Sequence, residues 1–270
     1  MVEITKKYKI GSRRFGLINW VGAWTLYKKE VLRFLIVWIQ TICSPLISSL
    51  LFLLVLSLAI GTDRGDVLGV SFITFLAPGL ISMQVIQQSF SHSSSSFMIG
   101  KIQGNIVDLL YAPLSATEVT ISVALAAVTR SVVIAIVSII AFKLIINIEI
   151  TNYFLLMVFT LLSSFILGNI GIIAGLWAEK FDHMATVTNF VIVPLSFLSG
   201  TFYSIERLPE LLQMISKANP FFYMIDGFRY SFIGKADGSI FVGLIYLSAL
   251  SFVSWFVTYL LYKKGYKIKS

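Results

Sequence analysis

Cysteine is almost missing from this sequence: Cys43 stands alone among 270 residues, which excludes an intrachain disulfide and any multi-cysteine metal site. Charge is scarce too. Only 13% of residues are Asp, Glu, Lys or Arg, where a soluble globular chain carries roughly 25%. The two histidines, His92 and His183, have no clustered partners, so no metal site is expected. Paired carboxylates of the kind a membrane-embedded enzyme would hold at a water-accessible depth are not found. A nucleotide-holding loop is lacking as well. Gly100-Lys101 is followed by Ile102 and Gly234-Lys235 by Ala236, so Gly-x-x-x-x-Gly-Lys-Ser/Thr is never completed. The chain therefore reads as a non-enzyme with no cofactor of its own.

What the sequence has in excess is apolar length. Hydrophobic residues make up 57% of the chain, against roughly 45–50% in soluble proteins. Six runs, at 34–60, 67–90, 119–146, 153–178, 184–202 and 240–262, match the roughly 20 residues that a helix needs to cross a bilayer. The runs are continuously apolar rather than alternating, which favours helices over a barrel. The expected fold is an all-α integral membrane protein of six transmembrane helices. Residues 1–33 form a tail and an interfacial helix, 34–262 a single transmembrane domain, and 263–270 a basic tail. The first 33 residues are basic and amphipathic rather than a short apolar core with a cleavage site, so the first run is expected to stay in the mature protein.

Charge sets the expected orientation. Lys6, Lys7, Lys9, Arg13, Arg14, Lys28, Lys29 and Arg33 precede the first run, and Lys263, Lys264, Lys267 and Lys269 follow the last. The positive-inside rule puts both termini in the cytoplasm, and Lys101 and Lys180 in the loops agree. The formal charge of +8 sits beside membrane ends, which fits anionic lipid headgroups better than nucleic acid.

Several segments bear on mechanism. Leu17, Trp20, Val21, Trp24, Tyr27 and Val31 recur at helical spacing, predicting an amphipathic helix in the membrane interface that either anchors the first span or transmits cytoplasmic motion to it. Pro45, Pro78 and Pro194 fall inside three runs, where proline removes a backbone hydrogen bond. Gly171 and Gly175 form a Gly-x-x-x-Gly pair that lets another helix approach closely, expected within the same chain. Residues 91–118 start with a serine cluster and His92. They continue to a short helix with Ile102, Ile106, Leu109 and Leu110 on one face, which either docks a partner or rests on the bundle.

Arg130 is the ionisable side chain deepest in any run, and a charge there costs about 2.5–3.5 kcal/mol on insertion scales. It is expected to face protein or water, touching an anionic substrate group, forming a gating pair with Glu118 or Asp108, or bonding helix carbonyls. The absence of Asp, Glu or His in the middle of a run weakens a proton-coupled carrier. Beyond the fifth run, Leu208, Leu211, Leu212 and Ile215 repeat at helical spacing. Asn219-Pro220 breaks the pattern, and an apolar patch at 221–232 contains Asp226 and Arg229. Two short outer helices, re-entrant or lying on the surface, are expected there.

The stretch Pro194-Leu195-Ser196-Phe197-Leu198-Ser199-Gly200-Thr201-Phe202-Tyr203-Ser204-Ile205-Glu206-Arg207-Leu208-Pro209, followed by Asn219-Pro220-Phe221-Phe222-Tyr223 and Arg229, closely resembles the C-terminal signature of type-2 ABC exporter permeases. Phe75-Leu76-Ala77-Pro78-Gly79, Ala112-Pro113-Leu114-Ser115 and Glu118 resemble earlier parts of the same family, the bacterial YadH-like permeases in particular. The resemblance implies a permease of the bacterial inner membrane that pairs with a second copy. It also implies a separate nucleotide-binding subunit that holds ATP and Mg, and export of a lipid, lipid-linked glycan or drug. It makes Met98, Lys101, Gln103, Asn105, Asp108, Leu109 and Tyr111 candidate ATPase-docking residues. Arg130, Pro194, Gly200, Tyr203, Asn219, Pro220 and Arg229 are the candidate pathway or gate residues. A stand-alone channel or secondary transporter is the rival reading.

Overall fold

The computed structural model describes residues 18–60, 66–146 and 148–268. Lys6, Lys7, Lys9, Arg13, Arg14, Leu17 and Lys269, which the charge and periodicity readings used, lie outside them. The chain runs α1 (Trp20–Ile36), a π turn (Ile39–Cys43), α2 (Ser44–Ile60), α3 (Phe72–Ile102), α4 (Ile106–Tyr111), α5 (Ala116–Ile146) and α6 (Tyr153–Trp177). It continues through α7 (Phe181–Val187), a second π turn (Thr188–Ile192), α8 (Val193–Leu198), a 3-10 turn (Ile205–Arg207), α9 (Glu210–Ala218), α10 (Pro220–Ile233) and α11 (Ile240–Lys263). Among the described residues the β structure is one isolated bridge, Val67 to Val70.

Among the described residues, five helical stretches are long and apolar enough to cross a membrane: Ile39–Ala59, Ala116–Ile146, Tyr153–Trp177, Phe181–Leu198 and Ile240–Lys263. The predicted run at 67–90 becomes part of α3, whose 31 residues span about 46 Å at 1.5 Å per residue. Its length suffices to cross, but Gln84, Gln87, Gln88 and the serines dilute its apolar character. The helix also overruns its predicted end, because Ser91 to Ser96 form helix rather than loop. Serine hydroxyls within a helix satisfy themselves on preceding carbonyls: Ser95 Oγ donates to His92 O at 3.0 Å and Ser94 Oγ to Ser91 O at 3.3 Å. Small side chains also let α6 come close. A Cβ on Gly171 would stand 2.5 Å from Phe90 O, and one on Gly175 2.8 Å from Ser94 O, so the partner of the glycine pair is α3 of the same chain.

α3 is the hub, packed on α6, α5, α10 and α2, while α1 lies on α5 and α11 on α6. At one end Leu26, Phe97, Ile106, Val119, Leu176 and Tyr262 form a core. This is the basic end, where α1, α4, Lys101, Lys180 and the C-terminal tail meet. At the far end Phe72, Phe75, Leu76, Phe142, Phe228 and Phe232 form another. Pro45 and Pro194 each stand second in a helix that follows a π turn, closed by Ser44 N to Ile39 O and by Val193 N to Thr188 O. Wide turns before proline accommodate the ring and the missing donor.

Candidate functional site

A polar cleft of about 860 Å³ lies between the start of the first span and the middle of α3. On α3 its wall is Gln84, Gln87, Gln88, Ser91, Ser95 and Ile99, and the spacing of Gln84, Gln88, Ser91 and Ser95 keeps one face of a helix. Opposite stand Arg33, Val37, Gln40, Thr41, Ser44 and Ser48, another single face. From Gln84 to Gln103, also in the lining, the stripe covers about 28 Å, close to the roughly 30 Å of a hydrocarbon core.

Arg130 closes the cleft from α5. It is 7% exposed, its Nη2 donates to Gln88 Oε1, and its Nε has no partner. Among the described residues no carboxylate pairs with it. The expected pairing with Glu118 or Asp108 does not form. Glu118 sits in the first turn of α5, about 18 Å along the helix from Arg130. Its carboxylate instead accepts Asn19 N at 2.5 Å and Ser115 N at 2.7 Å. Asp108 is exposed on α4.

Beside the cleft, α1 is fastened to α3. Arg33 Nε donates to Glu30 Oε2 at 2.9 Å, Nη2 to His92 O at 2.8 Å and Nη1 to Ser95 Oγ at 3.2 Å. Glu30 is buried, and its Oε2 lies 3.8 Å from His92 Nε2. His92, expected at a helix end, is buried inside α3 with Phe34 edge-on to its ring. The opposite face of α1 shows Trp20, Val21 and Trp24 exposed.

The predicted docking residues divide. Gln103, Asn105, Asp108 and Tyr111 are exposed around α4, Tyr111 at 85%, and Leu109 is half-buried. A groove of about 680 Å³ between α4 and α1 is lined by Asn19, Gly22, Lys29, Asn105, Asp108 and Leu109 among others. Met98 is fully buried. Lys101 Nζ is occupied by Leu176 O at 2.8 Å and by Ala178 O, binding the last carbonyls of α6. The structure does not bring these two to the groove. α1 and the α4 segment are tied together, since Asn19 Nδ2 donates to Pro113 O at 3.0 Å while Asn19 Oδ1 accepts Gly22 N at 2.9 Å.

The far-end signature residues form a latch. Asn219 Nδ2 reaches Ser199 Oγ at 2.8 Å and Leu195 O at 3.1 Å, and its Oδ1 caps α10 through Phe221 N at 3.1 Å. Pro220 takes the first position of α10, where no donor is needed. Arg229 Nη2 donates to Gly200 O at 2.6 Å and Thr201 O at 3.3 Å, with its guanidinium carbon 3.9 Å above the centre of the Phe75 ring. Gly200 turns the chain at φ 78°, a region open mainly to glycine. Tyr203 Oη donates to Leu198 O at 3.2 Å. Asp226 accepts Asp237 N and Gly238 N at 3.0 and 2.9 Å, and Asp237 accepts the Ser204 hydroxyl at 2.6 Å. Tyr203, Asn219 and Arg229 thus bond backbone carbonyls of Leu195, Leu198, Gly200 and Thr201, Pro194 and Pro220 stand at the starts of α8 and α10, and Arg130 stands apart in the cleft.

The glutamine stripe and the Glu30–Arg33–His92 cluster are candidate functional residues that sequence reasoning passed over. Their signal was present as Gln84, Gln87, Gln88, Ser91 and Ser95 on one face of an otherwise apolar helix.

A family model described as ABC-2 type transporter matches residues 22–233, which take in the cleft and most of the groove and the latch. The inner membrane transport permease YadH of Escherichia coli K12 is 33% identical over 220 residues, 82% of this chain and 86% of that protein. Nodulation protein J of Rhizobium leguminosarum bv. viciae is 24% identical over 229 residues, 83% of this chain and 86% of that protein.

Proposed function

This chain belongs to the ABC-2 type transporter family, and on that premise we propose that it is the membrane-spanning subunit of an ATP-driven exporter in a bacterial inner membrane. Six spans are assigned: the first with α2, then α3, α5, α6, α7 with α8, and α11. The span added to the five apolar stretches is α3, which carries the polar stripe that a pure lipid-facing helix would not tolerate. Both termini and α4 face the cytoplasm in this reading, supported by Lys101, Lys180, Lys263, Lys264 and Lys267 at one end. α1 lies along the inner interface with Trp20 and Trp24 in the headgroup region.

The observation that carries the proposal is the connected path from the groove to the cleft. A separate ATPase subunit, holding ATP and Mg, seats against α4 and the groove. Its closure moves α1 and α4 as one body, because Asn19 joins them through Pro113 and Glu118. α1 in turn pulls on α3 through Arg33 and Glu30, so the motion changes the width of the cleft. Two copies of the chain are expected, since twofold pairing is the default for oligomers. The mostly exposed apolar faces of the first, fifth and sixth spans are available to a second copy and to lipid. The substrate is a hydrophobic or amphipathic molecule.

The test is to copurify the chain with candidate phosphate-loop ATPases and to measure ATPase activity after Asp108→Lys and Leu109→Trp substitution. Loss of assembly or of membrane-subunit stimulation is expected. Unchanged assembly and coupling would remove the docking assignment, and transport in vesicles without any ATPase would favour a stand-alone channel.

A further inference from the structure

We propose that the cleft binds the anionic, phosphate-class headgroup of an amphipathic molecule, with Arg130 as its counter-cation, an inference that rests on the transport reading and narrows its substrate class. A guanidinium does not deprotonate in proteins, and a buried charge without a partner costs several kcal/mol. Arg130 meets one neutral acceptor, Gln88 Oε1, and its Nε stays unpartnered. Arg33, the other cation of the lining, is already held by Glu30. The cleft is therefore left one positive charge in excess, beside amide donors of Gln84 and Gln87 that suit phosphate oxygens.

The apolar half of the ligand follows from what adjoins the cleft. A second groove, about 590 Å³, runs along the outside of the first span and is lined by Ile36, Trp38, Ile39 and Ile47. It shares Val37, Gln40, Ser44 and Ser48 with the cleft. A headgroup against Arg130 would place an alkyl chain in this groove by passing the side chains of Val37, Gln40, Ser44 and Ser48.

The experiment is a scintillation-proximity assay on the full chain in dodecyl maltoside, with radiolabelled dodecyl phosphate as probe and inorganic phosphate as competitor. Saturable binding is expected, kept within a few-fold by Arg130→Lys and weakened by at least about tenfold in Arg130→Gln. Gln88→Glu keeps the size of the side chain and supplies Arg130 with an internal counter-ion, so it should fold and weaken binding to the same degree. Wild-type binding left unchanged in Gln88→Glu, or no saturable binding at all, overturns the site. Displacement by inorganic phosphate only at about a hundredfold higher concentration supports an amphipath, and displacement at equal concentration overturns the lipid assignment in favour of free phosphate. No ATPase is present in the assay, so failure here leaves ATP-driven export standing, and failed ATPase coupling leaves the site standing.

Discussion

Two arginines are buried among the described residues, yet they live in different surroundings. Arg229, in the latch, gives Nη2 to the carbonyls of Gly200 and Thr201 and stacks on Phe75, although its Nε, like that of Arg130, has no partner. Arg130, in the cleft, has a single amide for company and faces a cavity. Low dielectric strengthens a satisfied polar network and penalises an unsatisfied one. The latch thus holds α8, α10 and α3 together, and the cleft is where the proposed headgroup would sit.

The sharpest way to break this contrast is to remove each charge in turn. Arg229→Met strands two buried carbonyls and should cost about 3 kcal/mol or more, seen as loss of monodisperse protein on size-exclusion chromatography and a lowered melting temperature in detergent. Arg130→Met should change stability by no more than about 1 kcal/mol, or raise it, because it removes an unpaired charge. Equal destabilisation by the two would erase the distinction. Asn219→Ala comes next on the latch side: it loses a helix cap and two further bonds, about 2 kcal/mol in the same melting assay, and a melting temperature equal to wild type would show the latch to be loose.

On the cleft side, Glu30→Gln weakens the link from α1 to α3 while leaving the cavity wall intact. Its effect on melting is expected to be about 1 kcal/mol, and its main readout is ATPase stimulation in the complex, which should fall by several-fold. Full coupling in this variant would mean that α1 does not transmit motion through Arg33.

The smallest effect concerns the exposed tail. The hydrogen bond from Lys267 holds the Glu179 carboxyl below its ordinary value of 4.5, and Glu179 holds Lys267 above its ordinary 10.5. A depressed carboxylate gives up its contribution as pH falls through its folded value, and a raised ammonium does so as pH rises through its own. The tail contact is accordingly complete between those limits and loosens below the ordinary carboxylate range. A nitroxide on Tyr266→Cys, with Cys43→Ser, should show sharper spin-resonance lines as pH drops there; constant lines would mean the ion pair contributes nothing.

Much of the scaffold was legible because single residues punctuate it. Pro209 and Pro220 stand at helix starts and Asn219 ends α9, so these boundaries followed from local chemistry. The run of Ser91 to Ser96 misled because serine favours loops in water, whereas within α3 it bonds backward and makes room for Gly171 and Gly175. The cleft escaped notice for another reason. Glutamine carries no formal charge, and a search for intramembrane charges stops at Arg130 without seeing the amides around it. Charge alone likewise cannot separate Arg130 from Arg229, since the difference lies in which carbonyls folding brings near.

The most direct measurement compares four serines of one helix. In a Cys43→Ser background, Ser91→Cys and Ser95→Cys line the cleft, while Ser93→Cys and Ser94→Cys are buried toward α6. A hydrophilic, membrane-impermeant thiol reagent applied to open membranes should modify the first pair readily and spare the second. Failure to modify Ser91→Cys and Ser95→Cys, or equal reaction at all four, would contradict a water-filled cleft through the membrane domain.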